Sequence, residues 1–197
     1  MVNSKVLLKY NQHLDTTLSW LTRSFNKDGG SSAYYSPIFG WSSPYPETTG
    51  YIITTLINAF SRTGKEQYKI LAFNAGRWLQ SLQNKNGSFP GGLHHKKQHN
   101  PSSIFNTGQI IDGMTELATI DPSGPWLDIS EKAGIWLSNS LNDDGLWTES
   151  NYKSNFNPAS WPIYCPSIIT SFSFFISVTN LISCFKLLDR TLILLSI

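Results

Sequence analysis

A chain of 197 residues with 40% hydrophobic content is long and apolar enough for a folded domain with a core, which excludes a disordered polymer. Its formal net charge is +2, from 15 Lys+Arg and 13 Asp+Glu without a basic run, so it lacks the electrostatic footprint of a nucleic-acid binder. The two cysteines, Cys165 and Cys184, have no metal-type spacing and are too few for a disulfide scaffold, which makes a reducing, cytoplasmic setting the expectation.

The first twenty residues interrupt every apolar run with polar ones and lack a signal-peptide core, so they read as a helix. Trp20-Leu21 closes this stretch, and the same pair returns as Trp78-Leu79 and Trp136-Leu137, each 58 residues on. Other features keep the interval. Asp28-Gly29, Asn86-Gly87 and Asp144-Gly145 share it, as do Gly50 with Gly108, Ile52-Ile53 with Ile110-Ile111, Tyr68 with Trp126, and Ala75-Gly76 with Ala133-Gly134. A common offset without insertion predicts a repeated helical hairpin, seen twice in full and begun a third time.

Within each unit, residues 66–83 and 127–141 carry apolar side chains at three-and-four spacing, which predicts amphipathic helices. Each ends toward an Asn-Gly or Asp-Gly turn, where glycine tolerates positive φ. A second helix is expected over 48–62 and again over 107–118, apolar over most of its circumference and therefore an inner layer. Because the connections alternate long and short, the long loops 30–47, 88–106 and 146–164 gather on one face, the candidate site. The tryptophans at the repeat position, Trp20, Trp78 and Trp136, are expected in the core.

The composition changes toward the C-terminus: residues 154–185 contain no charged side chain, and no glycine follows Gly145. Three readings stand: a membrane-spanning segment over 165–185, of about the 20 residues a bilayer requires; a degenerate third hairpin; or loss of the reading frame after about residue 165, the preferred one. The expected division is 1–165 for the helical repeats and 166–197 for an aberrant hydrophobic tail, with membrane contact only through 165–185.

Tandem helix pairs, a Trp-Leu helix leading to DG or NG, and an aromatic loop after it make the chain resemble the α/α-toroid superfamily. That group includes terpenoid cyclases, protein prenyltransferase β-subunits and the six-hairpin enzymes that act on carbohydrates. NGSFPGGLHH (residues 86–95) is similar to prenyltransferase Gly-Gly-aromatic turns, NDDGLWTES (142–150) to cyclase DG-x-W turns, and PYPETTGYI (44–52) to turns of bacterial toroid proteins found with polysaccharide-biosynthesis genes. The resemblance covers residues 14–165 and implies an all-α fold, a partial and open α/α toroid, from a truncated member. The acid motif of squalene-type cyclases and an Asp-x-Cys zinc site are both missing from the sequence.

Glu47, Asp112 and Glu149 are the acids that the repeat directs toward the mouth or axis, and a carboxylate pair is what glycoside cleavage requires. An acid such as Glu47 in a first helical turn is also favoured simply by free amides and the helix dipole. His94 joins these as a candidate proton-handling residue. His95 and His99 stand at i,i+4, but Gly91-Gly92 and Pro101 bracket a segment that does not read as helix, so no metal is expected. Substrate-binding candidates are Tyr34, Tyr35, Trp41, Tyr45, His95, Asn106, Trp147, Tyr152 and Trp161, since aromatic faces stack on sugars and also enclose isoprenoids. Phe89 lies in the same loops.

Three functions are open on this reading. The first is a carbohydrate-active or polysaccharide-pathway protein that binds a glycan or other small molecule and, if active, acts as a hydrolase, lyase or epimerase without a cofactor. The second is an isoprenoid-handling cyclase or prenyltransferase-like enzyme; the third is a non-catalytic remnant.

Overall fold

The structure, a computed structural model, describes residues 4–96 and 100–141 together with two short strands, 147–148 and 163–164. The expected tail, 166–197, lies outside the described residues, as does the remainder of the third loop.

Among the described residues five helices dominate. The order is α1 (Ser4–Thr22), β1 (Tyr35–Ser36), β2 (Gly40–Trp41), α2 (Pro46–Thr63), α3 (Glu66–Leu82), α4 (Ile104–Ile120), α5 (Trp126–Asn139), β3 (Trp147–Thr148) and β4 (Ile163–Tyr164). The strands form two small antiparallel pairs, Tyr35 opposite Trp41 and Trp147 opposite Tyr164, a departure from a purely helical expectation. Among the described residues no helix is long and apolar enough to cross a membrane.

Helices α2 and α4 lie against each other, α3 packs on α2, and α5 packs on α4. The inner pair can approach closely because two glycines meet there. A methyl on Gly50 would stand 3.0 Å from the Ile110 Cα, and one on Gly113 would run into the Gly50 carbonyl oxygen. Ile53, Leu56, Ile110, Met114 and Leu117 fill the space around that crossing, all fully buried. Leu79, Ala75, Ala133 and Leu137 extend the core to the outer pair. Burial of this kind contributes about 25 cal/mol per Å2 of apolar surface.

The inner helices begin earlier than the apolar pattern suggests, for local reasons. Pro46 opens α2 at a position where the missing N–H costs nothing. Ser103 caps α4, its hydroxyl accepting from the Asn106 amide. At its other end α2 stops at Gly64, whose φ of 66° is the left-handed conformation of a helix terminator.

Trp78 and Trp126 are buried, whereas Trp20 is 44% exposed, contrary to the expectation that it is core. The cause is position: α1 is the outermost layer of the described residues, and among its described side chains only Leu18 is buried. Trp136 is only partly buried, packed against the edge of the core.

Candidate functional site

Loop one (30–47) and loop two (88–106) are tied by hydrogen bonds onto the starts of the inner helices. The Ser31 amide donates to Thr49 Oγ1 at 2.9 Å, and Thr49 Oγ1 donates to the Tyr45 carbonyl at 2.8 Å. In loop two the Phe89 amide donates to Thr107 Oγ1 at 3.0 Å, and Thr107 Oγ1 to the Ser103 carbonyl at 2.7 Å. Backbone bonds Tyr45 N–H to Ser31 O and Ser103 N–H to Phe89 O close each loop at its base, at 2.8 and 2.9 Å. Every partner in one set lies 58 residues from its counterpart in the other. Before each loop a glycine turn rests on a neighbouring outer helix: Gly29 (φ 103°) against the Asn74 carbonyl and Gly87 (φ 93°) against the Lys132 carbonyl, where no side chain would fit.

Loop one presents aromatic surface. Tyr34 and Tyr35 are exposed, and Trp41, half-buried, meets Tyr35 edge-on at 5.0 Å and Trp20 at 4.8 Å. The hairpin tip leaves Ile38 83% and Phe39 88% exposed. Tyr45 caps the start of α2 through its backbone carbonyl, which accepts from Thr48 and Thr49. Phe89 belongs elsewhere: it is fully buried and is a core residue. Asn106 is likewise 2% exposed, with its Nδ2 donating to the Pro90 carbonyl at 3.2 Å and its Oδ1 accepting from Ser103 Oγ, so it fastens loop two to α4. No free edge of that side chain is left for a substrate.

The carboxylates of the inner helices are partly buried. Glu47 stands in the first turn of α2 and accepts a hydrogen bond from the Tyr51 hydroxyl. Burial, and then this carboxylate partner, push the Tyr51 phenol far above the usual tyrosine range, so it remains a donor. Asp112 on α4 accepts from Thr54 Oγ1 of α2 at 3.3 Å, which joins the two helices. Glu116, one turn beyond Asp112, was not among the sequence candidates. Burial, reinforced by the charge of Asp112, raises its carboxyl above the ordinary value. Its i,i+4 spacing from Asp112 was the available signal.

His94 sits in loop two, away from these acids. Its backbone N–H donates to the Pro44 carbonyl at 2.8 Å, and its ring meets Trp78 edge-on at 5.6 Å. Burial, aided by the neighbouring His95, lowers its pKa below the usual histidine value, with Asp28 opposing. His95 Nδ1 lies 3.3 Å from Ser43 Oγ, a second tie between loops one and two. His94 also lines a cleft of about 480 Å3, bounded by the end of α3, the start of α2 at Pro46, and Pro90 and Asn100 of loop two. None of the three carboxylates lines that cleft. Glu149, Tyr152 and Trp161 lie outside the described residues, and of Trp147 only the backbone pairing with Tyr164 is described.

No protein-family model matches the chain, and no curated protein sequence matches it. Its fold is similar to that of a solved structure described as a novel alpha-amylase from Clostridium perfringens, with a TM-score of 0.58 and 19% sequence identity. The likeness covers 73% of this chain but only 42% of that one, and at such identity it speaks for the fold alone.

Proposed function

We propose that this chain is a carbohydrate-binding or carbohydrate-modifying protein, built as a partial, open α/α toroid on its 58-residue hairpin repeat and holding a glycan over the long-loop face. The observation that carries the reading is the set of partly buried carboxylates Glu47 on α2 and Asp112 and Glu116 on α4, together with the exposed Tyr34 and Tyr35 and the half-buried Trp41 of loop one. A pair of carboxylates supplies the acid and the base of glycoside chemistry. In this arrangement Glu47, held by Tyr51, faces the glycan at the mouth. Glu116 retains its proton more readily and serves as donor, while Asp112 is oriented by Thr54. The aromatic rings stack on sugar faces. The alpha-amylase named for the similar structure makes a starch-type glucan the first ligand to try.

A glycan array probed with the purified protein tests the reading, with Trp41→Ala beside it. Retention of a defined glycan by the parent, weakened by about tenfold in Trp41→Ala, is the expected result. A blank array, or binding untouched by Trp41→Ala, removes it. Glu47→Gln is expected to bind the same glycan and to abolish any turnover of it.

A further inference from the structure

Resting on the carbohydrate reading, we propose that the cleft between the end of α3 and loop two is a second saccharide subsite, distinct from those carboxylates, that holds one neutral, hydroxyl-rich sugar unit. The cavity, at about 480 Å3, falls within the range of roughly 300–1,000 Å3 typical of small-molecule sites.

Its chemistry follows from where three amide side chains have committed their nitrogens. Gln83 Nε2 donates to two carbonyls, Gly87 O at 3.0 Å and Ile129 O at 2.9 Å. Asn100 Nδ2 donates to the Leu93 carbonyl at 2.8 Å. Asn84 Nδ2 approaches Ser88 Oγ at 3.0 Å; that hydroxyl gives its own proton to Asn86 Oδ1 at 2.7 Å, so it accepts from Asn84. Gln83 and Asn84 have both amide N–H groups committed and Asn100 one of its two, which leaves the side-chain oxygens of these lining residues as acceptors for a ligand. Such a wall selects donors, and sugar hydroxyls are donors. An anion meets only Lys85 as a cationic lining residue, against these oxygens. A cation finds no carboxylate among the lining residues. Leu82 and Pro90, both partly exposed, supply the apolar surface on which the C–H face of a pyranose rests. His94, fixed against Trp78 and favouring its neutral form, adds one donor and one acceptor.

Ser81 is exposed on the rim of this cleft, so Ser81→Trp fills the opening without disturbing the core. The full chain is titrated with maltotriose as the neutral probe and trigalacturonic acid as the anionic one, following the His94 ring protons by NMR and affinity by calorimetry. Maltotriose is expected to shift the His94 resonances, and Ser81→Trp to weaken that binding by about tenfold or more. Unmoved His94 signals, maltotriose affinity in Ser81→Trp within about twofold of the parent, or preference for trigalacturonic acid each overturn the subsite. If the glycan array is positive in those cases, the subsite alone fails. If the array is blank as well, both readings fall.

Discussion

Replacing Thr107 by Val keeps the shape of a fully buried side chain and deletes one hydroxyl. Two hydrogen bonds go with it, but their losses are unequal. The Ser103 carbonyl still accepts from the Thr107 amide at 3.0 Å, so it remains satisfied. The Phe89 amide, whose residue is itself fully buried, loses its acceptor. An orphaned buried donor costs about 1–3 kcal/mol, and the helix propensities of Val and Thr are close, so the expected destabilisation is about 2 kcal/mol. Thr49→Val should cost the same. There the Tyr45 carbonyl keeps the Thr49 amide at 3.1 Å and only the fully buried Ser31 amide is stranded. Urea unfolding measures both; with a slope of about 2 kcal/mol per molar, each midpoint falls by about 1 M at unchanged slope. Hydrogen exchange should quicken at Phe89 in one variant and at Ser31 in the other. Midpoints within about 0.2 M of the parent would refute the argument that these hydroxyls anchor the loops. Costs differing by more than about 1 kcal/mol would refute the equivalence of the two anchors.

Gly113→Ala drives a methyl into the Gly50 carbonyl and to 3.1 Å from Ile53 Cβ. Overpacking of about 1–3 kcal/mol exceeds the roughly 1 kcal/mol that alanine gains in a helix, so thermal unfolding should move down by several degrees; a rise would show that α2 and α4 separate freely. Glu116→Gln tests the partly buried carboxyl. Because its folded pKa lies above the ordinary 4.5, ionisation at pH 7 costs stability that is regained as pH falls through the folded value. The variant should therefore melt higher than the parent at pH 7, with the gap closing near pH 4, and an unchanged gap at both would contradict the assignment.

Much of the helical framework was legible because apolar periodicity marks one face of a helix wherever it recurs: α3 and α5 start within a residue of the expected positions. The starts of α2 and α4 were harder, since Pro46 and Ser103 act through backbone geometry and capping. At the candidate site, Glu47 and Asp112 could be placed on inner helices from sequence. Glu116 is marked in the sequence only by its i,i+4 spacing from Asp112; the partial burial that raises its carboxyl is not announced by that spacing. Asn106 and Phe89 mislead in the opposite sense: polar and aromatic residues in a long loop read as ligand contacts until their burial is known.

By itself the sequence determined the helices, their apolar faces and the 58-residue interval, all of which are properties of residues a few positions apart or of the chain compared with itself. Only the tertiary structure decided which tryptophan is covered. Trp78 is covered by the Gly29-Gly30 turn and by His94, while Trp20, in the same sequence context, lies open on α1 beside Trp41. It also decided that His94 joins Gln83, Asn84 and Asn100 around a cleft instead of joining the acids. Burial depends on what other segments bring to a position, and that is settled only when the layers pack.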